Sequence, residues 1–152
     1  MGAEARLAEL GLKLPEQPKP VANYVPAVRV GNLLFVSGHG PYADGNIKTA
    51  GKLGRDLTVD EGYQVARNVA MNCLASIRVE LGSLDRVRRF VKLLGMVNCT
   101  EDFTEPPKVI NGCSDLLVDL FGEAGKHARS AVGMQALPFA IPVEIEMILE
   151  VE

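Results

Sequence analysis

The last ten residues of the chain, VEIEMILEVE, alternate an apolar residue with a carboxylate at nearly every step. Alternation with a period of two is typical of a β-strand that buries one face and exposes the other. The apolar face carries Val143, Ile145, Met147, Leu149 and Val151. The polar face carries Glu144, Glu146 and Glu150. The chain is therefore predicted to end on a half-buried strand, which any fold must place in a sheet.

An arginine lies fifteen residues before the first of these carboxylates, in the run His127-Ala128-Arg129-Ser130 that opens an extended segment. If the two strands pair, Arg129 and Glu144 lie close at one end of a sheet. A guanidinium group binds a carboxylate through two parallel hydrogen bonds, and a nearby glutamate can order or activate a water. The pair therefore suggests a site for small carboxylic acids. A structural ion pair on the sheet surface is the simpler interpretation, and spacing alone favours it because single charge pairs carry little specificity.

Size and composition exclude several classes of protein. With 152 residues, 47% of them hydrophobic, the chain is predicted to form one globular domain with a substantial core. A net charge of −3 and an aromatic fraction of 5% without tryptophan offer no basic groove and few stacking surfaces, so nucleic acid is not an expected partner. Charged residues interrupt residues 1–11, and no apolar run is long enough to cross a bilayer. We therefore expect a cytoplasmic protein without a membrane partner.

The cysteines and histidines do not form the spacing of a metal site. Cys73, Cys99 and Cys113 have no CxxC spacing, and their odd number argues against a disulfide framework and against a tetrahedral zinc site. His39 and His127 are the only histidines. We expect three free thiols, with Cys73 and Cys113 in the core. Neither a metal nor a cofactor is expected.

Turn residues and periodicity divide the chain into elements. Its first part is predicted to hold a short helix, a Pro-rich extended arm and two strands joined by a Gly-Asn hairpin, at Ala3–Leu10, Leu14–Pro20, Val25–Val30 and Leu33–Ser37. The stretch Gly38–Asp56 is predicted to be a long loop with one short strand around Asn46–Thr49.

The second part is predicted to contain two long helices and three strands. A capping box at Thr58 begins an amphipathic helix that ends at Gly82, and a strand follows at Val87–Val97. The dipeptide Pro106-Pro107 begins the second helix, which ends at Gly122. This order predicts an α+β domain, with a mixed or antiparallel sheet covered on one face by two helices. The domain is expected to span residues 21–152, after an N-terminal helix and arm at residues 1–20.

Four motifs together resemble the Rid/YjgF family of reactive-intermediate (imine/enamine) deaminases, also called the endoribonuclease L-PSP family. They are Asn23-Tyr24-Val25-Pro26, the run from Gly31 to Pro41, Ala128-Arg129-Ser130 and Val143-Glu144-Ile145-Glu146, and the resemblance covers residues 21–152. It implies the chorismate mutase-like fold of that family. The Pro-rich arm and the region from Gly45 to Gly62 are similar to the branch of this family that is named for its resemblance to chorismate mutase.

The resemblance also implies a site. Family members are typically homotrimers with ligand clefts between subunits, and the arginine of their Ala-Arg-Ser motif binds the substrate carboxylate. By motif, Arg129 would bind the carboxylate and Glu144 would orient the attacking water. Tyr24 would line the cleft, and the Ser37-Gly38 turn would complete its wall.

Two positions depart from the usual family pattern. Many deaminases have glutamine where this chain has His39, and cysteine, serine or threonine where it has Ala131. We expect Ala131 to act through its backbone. His39 is interpreted either as a satisfied turn residue or as an acid/base group; as a residue that opens a loop, it is expected to border the cleft and tune specificity.

The function implied is hydrolysis of 2-imino or enamino acids to 2-keto acids and ammonia. The alternative is a non-catalytic protein that binds or senses a small carboxylate metabolite. Ribonuclease or translation-inhibitor activity fits an acidic chain poorly. A second sheet face without a helix layer, with Phe35, Phe90 and Met147 among its candidate residues, predicts closure of a homotrimer.

Overall fold

Seven strands and three helices make up the fold in the computed structural model, which describes residues 1–17, 19–20 and 22–152. The strands are β1 (Ala27–Val30), β2 (Leu33–His39), β3 (Tyr42–Ala43), β4 (Asn46–Ile47), β5 (Val87–Asn98), β6 (Ala128–Met134) and β7 (Val143–Val151). The helices are α1 (Ala3–Glu9), α2 (Val59–Leu81) and α3 (Pro106–Phe121). Short 3-10 turns occupy Leu84–Arg86, Gly122–Gly125 and Pro138–Ala140.

One mixed sheet contains five of the strands, in the order β1-β2-β7-β5-β6. Strand β7 lies antiparallel between β2 and β5, and β6 runs parallel to β5 at the edge. Along β7, every second side chain from Val143 to Val151 is buried, while Glu146 is exposed. The predicted half-buried closing strand is therefore confirmed, and it sits at the centre of the sheet.

The two long helices cover one face of this sheet. Helix α2 begins with both hydrogen bonds of the capping box between Thr58 and Glu61 and ends at Gly82 in the left-handed conformation. Helix α3 begins at Pro106 and packs against α2, β5 and β6. A Cβ atom on Gly95 of β5 would lie 2.6 Å from the Ile110 side chain, so glycine allows α3 to sit close to the sheet. The predicted α+β fold, with a mixed sheet and helices on one face, is confirmed.

The short helix α1 packs onto the domain instead of standing apart. Ala3 and Leu7 belong to the hydrophobic core, and the Glu4 carboxylate accepts hydrogen bonds from the Leu84 backbone and from Arg78. The expected boundary between residues 20 and 21 touches residue 21, which lies outside the described residues, so it stays a prediction. Of the helices in the described ranges, none has the length and apolar character needed to cross a bilayer.

The expected face of two residues in the sheet was wrong. Phe90 and Met147 do not lie on the uncovered face, because both are buried on the helix side. A bulge in β5 between Phe90 and Lys92 shifts the phase of the alternation, and Met147 shares its face with Ile145 and Leu149. The loop after β2 also forms a two-stranded hairpin, in which the expected strand near Asn46 pairs with β3.

Candidate functional site

Arg129 lies on edge strand β6 with its side chain on the helix-covered face. Its register partner on β5 is Leu93, and the partner of Leu93 on β7 is the buried Met147. The Arg129 guanidinium donates to Ser114 Oγ at 3.0 Å and to the Pro107 carbonyl at 3.3 Å, both on α3. Within the described part of the chain, no carboxylate lies within the 4.0 Å of an ion pair. The half-buried cation therefore has neutral partners only and keeps N–H groups for an anion.

A serine and a histidine lie next to this arginine, and neither was predicted from the sequence as a site residue. Ser114 Oγ lies 3.0 Å from His127 Nε2, and His127 Nδ1 lies 2.7 Å from the Gly125 carbonyl oxygen. Partial burial lowers the pKa of His127, and the charge of Arg129 lowers it further against the opposing effect of the Gly125 carbonyl. The ring is therefore neutral at pH 7. No sequence spacing signals the contact, because it depends on how α3 lies over β6.

Glu144 lies on the other, uncovered face of the sheet. Its carboxylate sits over β2, where a Cβ atom on Gly38 would be 2.6 Å from Glu144 Oε2. Only glycine leaves room for the carboxylate at this position. Partial burial raises the pKa of Glu144, and the charge of Glu146 raises it further. Glu144 is therefore a half-buried carboxylate with no cationic partner within ion-pair distance among the described residues, and is suited to accept a hydrogen bond from water.

The segment before β1 lies next to this carboxylate. Ser37 Oγ donates to the Val25 carbonyl at 2.6 Å, and the Ser37 amide donates to the Pro26 carbonyl at 2.9 Å, which ties this segment to the turn at Gly38. Tyr24 is 50% exposed. Tyr42 was missed by the sequence analysis: burial raises its pKa, and the nearby Tyr24 and Glu144 raise it further. Its position just after the Gly-His-Gly-Pro run was the available signal.

His39 and Ala131 occupy positions that limit their contact with a ligand. His39 is 6% exposed, and its ring nitrogens contact the Ser37 carbonyl oxygen at 2.6 Å and Ser76 Oγ at 2.8 Å. These contacts favour the interpretation as a satisfied structural residue. Ala131 lies opposite Gly95, on the same face as Arg129, and packs partly against the core.

Six of the seven predicted site residues thus form two groups, and the seventh, His39, is buried against α2. Arg129 and Ala131 are at the helix-covered edge, whereas Glu144, Tyr24, Ser37 and Gly38 gather at the uncovered face. Strands β6 and β7 do not pair, because β5 lies between them. The ion pair between Arg129 and Glu144, which spacing alone had favoured, is therefore wrong, and one chain does not bring the two side chains together.

The uncovered face is partly apolar. Val28, Val30, Phe35 and Val132 are between 39% and 62% exposed. A shallow cavity of about 220 Å³ on this face is lined by Val28, Phe35, Ser37 and Glu146 among others. The larger concavity, about 410 Å³ between α1 and the end of α3, contains none of the predicted site residues. Glu144, Ser37 and Gly38 therefore share the uncovered face with exposed apolar side chains and a shallow cavity.

Comparison with known proteins places this arrangement in a family. Residues 4–148 match the family model described as "YjgF/chorismate_mutase-like, putative endoribonuclease". The protein TCP17 of Trypanosoma cruzi is 46% identical over 147 residues, which cover 96% of this chain and 92% of that protein.

Two crystal structures are similar along nearly the whole chain. The protein Atu1372 of Agrobacterium tumefaciens, of unknown function, is 45% identical with a TM-score of 0.91, over 99% of this chain and 92% of that one. A protein of Shewanella oneidensis is 36% identical with a TM-score of 0.95, over 99% and 100% of the two chains. The sequence motifs, the mixed sheet with helices on one face and the family match agree, and the chain belongs to the YjgF/chorismate mutase-like family.

Proposed function

We propose that this protein hydrolyses 2-imino or enamino acids to 2-keto acids and ammonia, in clefts between the subunits of a homotrimer. The observation that carries the proposal is the state of Arg129. Among the described residues, its half-buried guanidinium contacts only neutral acceptors. An incoming carboxylate would therefore be its first anionic partner. A charge-assisted bidentate contact of this kind both anchors and orients a small acid.

The uncovered sheet face supports the assembly. Exposed apolar side chains at Val28, Val30, Phe35 and Val132 lie on the side of the sheet that carries Glu144. Several exposed apolar side chains on one uncovered sheet face are typical of an interface. Further copies of the chain would cover it, and Arg129 of one copy would meet Glu144 of the next.

The chemistry requires orientation more than activation. Glu144 accepts a hydrogen bond from a water whose oxygen attacks the imine carbon and forms the C–O bond. The proton that this water loses passes through the carboxylate to the nitrogen, which gives a carbinolamine with a hydroxyl and an amino group on the same carbon. The hydroxyl proton then passes to the nitrogen by the same route, the C=O bond forms as the C–N bond breaks, and ammonia leaves with the 2-keto acid as product. Holding the acid by Arg129 and the water by Glu144 contributes on the order of a few powers of ten in rate.

Carboxylate binding without turnover is a second candidate, and one observation favours it. Ala131 offers no side-chain donor at a position where many deaminases carry cysteine, serine or threonine. It lies on the same face as Arg129, two residues along β6. A protein that holds a keto acid at Arg129 but does not activate a water would act as a metabolite-binding or regulatory protein.

The test is to generate 2-iminopropionate or 2-iminobutyrate in solution and to follow keto acid release. We expect release above the spontaneous rate with the native protein, and no acceleration with Arg129→Ala. A 2-ketobutyrate titration separates the two candidates: binding without acceleration supports the regulatory protein. Light scattering tests the assembly, because a stable monomer of 16.4 kDa at micromolar concentration would contradict the shared cleft.

A further inference from the structure

The chain contains two Ser–His pairs of the same construction. In each, the histidine Nδ1 contacts the backbone carbonyl two residues earlier, at 2.6 Å for His39 and 2.7 Å for His127. In each, Nε2 contacts a helix serine, Ser76 Oγ at 2.8 Å and Ser114 Oγ at 3.0 Å. The His39 pair is buried, whereas the His127 pair is half-buried. Only the second serine also receives a hydrogen bond from an arginine, which is Arg129.

The direction of every hydrogen bond in the second pair follows from this geometry. A carbonyl oxygen only accepts, so the neutral His127 ring carries its proton on Nδ1 and donates to Gly125. Nε2 is then an acceptor, and Ser114 must donate its hydroxyl hydrogen to it. The Ser114 oxygen therefore keeps its lone pairs for Arg129 Nη1. The guanidinium is held by an acceptor whose own hydrogen has a fixed direction.

We propose that Ser114 is a positioning residue for Arg129, and that His127, by fixing the Ser114 hydroxyl, makes carboxylate affinity at Arg129 depend on pH. This inference rests on the proposed function, since it assumes that Arg129 binds the carboxylate of the ligand. Ser114 and the Pro107 carbonyl together engage both terminal nitrogens of the guanidinium. Loss of Ser114 leaves one of the two anchors, and the planar group then turns more freely.

The direction of the pH effect follows from charge. Protonation of His127 places a hydrogen on Nε2 and a second positive charge beside Arg129, with the Ser114 oxygen between them. A bound carboxylate offsets that repulsion, so ligand binding raises the pKa of His127. By linkage, affinity for the carboxylate rises as pH falls through the titration of His127.

The other ionisable groups near His127 do not reverse this sign. On α3, burial raises the pKa of the Cys113 thiol, so it stays neutral, and Asp115 accepts a hydrogen bond from Tyr63. In the turn before β6, Glu123 pairs with Lys126 at the surface. Arg129 on β6 is the charged group whose field lowers the pKa of His127.

The experiment is a calorimetric titration with 2-ketobutyrate between about pH 5 and 8, the range in which histidine titrates. Ser114→Ala should bind about tenfold more weakly at pH 7, in proportion to the loss of one charge-assisted hydrogen bond. Ser114→Thr, which keeps the hydroxyl, should restore most of the affinity. His127→Gln should bind at pH 7 but lose the rise in affinity at lower pH. Ser76→Ala removes the other Ser–His bond and is the matched control: its melting temperature should fall, and its binding should not change.

The outcomes separate the inference from the proposed function. The positioning role alone is overturned if the native protein binds 2-ketobutyrate, Arg129→Ala loses this binding, and Ser114→Ala keeps the native affinity and pH profile. Native protein that does not bind overturns both. Ring resonances of the two histidines, followed by NMR in the native protein, give a readout that needs no variant to fold: the pKa of His127 should rise on addition of 2-ketobutyrate, and an unchanged pKa contradicts the coupling.

Discussion

Arg129 and Glu144 face opposite sides of one sheet, and strand β5 lies between the strands that carry them. The register shows this directly. Arg129 is paired with Leu93 on β5, and Leu93 is paired with the buried Met147 on β7. Met147 lies three residues from Glu144 on the same strand. Side chains an odd number of positions apart on a strand point to opposite faces. The proposed cleft therefore takes the two residues from different copies of the chain.

Replacing Arg129 separates a ligand-binding role from a structural one. Arg129→Ala removes hydrogen bonds to two neutral acceptors, so we expect the free energy of unfolding to fall by less than about 2 kcal/mol. Binding of 2-ketobutyrate should weaken by about 2 to 5 kcal/mol, and Arg129→Lys should recover little because an ammonium group lacks the planar fork. Melting curves and titrations on both variants measure this. A destabilised Arg129→Ala that still binds normally would refute the role.

Replacing Glu144 should uncouple binding from turnover and change stability in a known direction. The pKa of Glu144 lies above its ordinary value of 4.5 in the folded protein, so the folded state holds this proton to higher pH than the unfolded chain. Its ionisation therefore costs stability as pH rises from 4.5 through the folded pKa. Glu144→Gln should be more stable than the native protein at pH 7, while binding persists and keto acid release is lost. Equal stability at pH 7 and lower stability at pH 4 would argue against the raised pKa.

Gly38→Ala tests whether the Glu144 carboxylate must sit over β2. The added Cβ would lie 2.6 Å from Glu144 Oε2, so the carboxylate must move. We expect turnover to fall and the free energy of unfolding to drop by about 1 to 3 kcal/mol, as for other overpacked sites. The double variant Gly38→Ala with Glu144→Ala removes the clash and should regain the lost stability. Additive losses in the double variant would show that the two positions do not interact.

His39→Gln tests the structural interpretation of His39. Burial lowers the pKa of His39 against the raising effect of the Ser37 carbonyl, so the unfolded chain binds its proton more readily. The stability that neutral His39 contributes is therefore full above its ordinary pKa of 6.5 and is lost as pH falls below it. The variant should lose about 1 to 3 kcal/mol at pH 7 through imperfect hydrogen bonding, yet show a weaker decline in acid. Carboxylate binding should persist, and its complete loss in a folded variant would instead give His39 a direct role in the site.

Much of the fold was predictable because local signals agreed with each other. The capping box at Thr58, the Pro106 start of α3 and the alternation along β7 each correspond to an observed boundary or face. The alternation along β7 correctly places Met147 beside Ile145 and Leu149, and its assignment to the uncovered face contradicted that alternation. The face of Phe90 was not predicted correctly. A bulge changes which residues of a strand face the core without changing the composition of the strand, and no single residue in β5 predicts the bulge.

The sequence motifs supplied the candidate site residues but not their arrangement. Motifs identified Arg129 and Glu144, while the strand order that separates them depends on long-range pairing that spacing does not encode. The contact of Ser114 with His127 also depends on tertiary packing and was not predicted. It joins helix α3 to the residue just before β6, thirteen residues later in the chain. Tyr42 was missed because the loop that holds it was predicted without its hairpin.

The most direct test of the shared cleft is complementation between two inactive variants. Arg129→Ala and Glu144→Gln are unfolded, mixed in equal amounts and refolded together, with light scattering to verify the trimer and mass spectrometry to verify mixing. If each cleft takes Arg129 from one copy and Glu144 from its neighbour, about a quarter of the clefts in random trimers combine both native residues. We expect catalysed keto acid release at about a quarter of the native rate in the mixture, and no release above the spontaneous rate in either variant alone. Mixed trimers that remain inactive would contradict it.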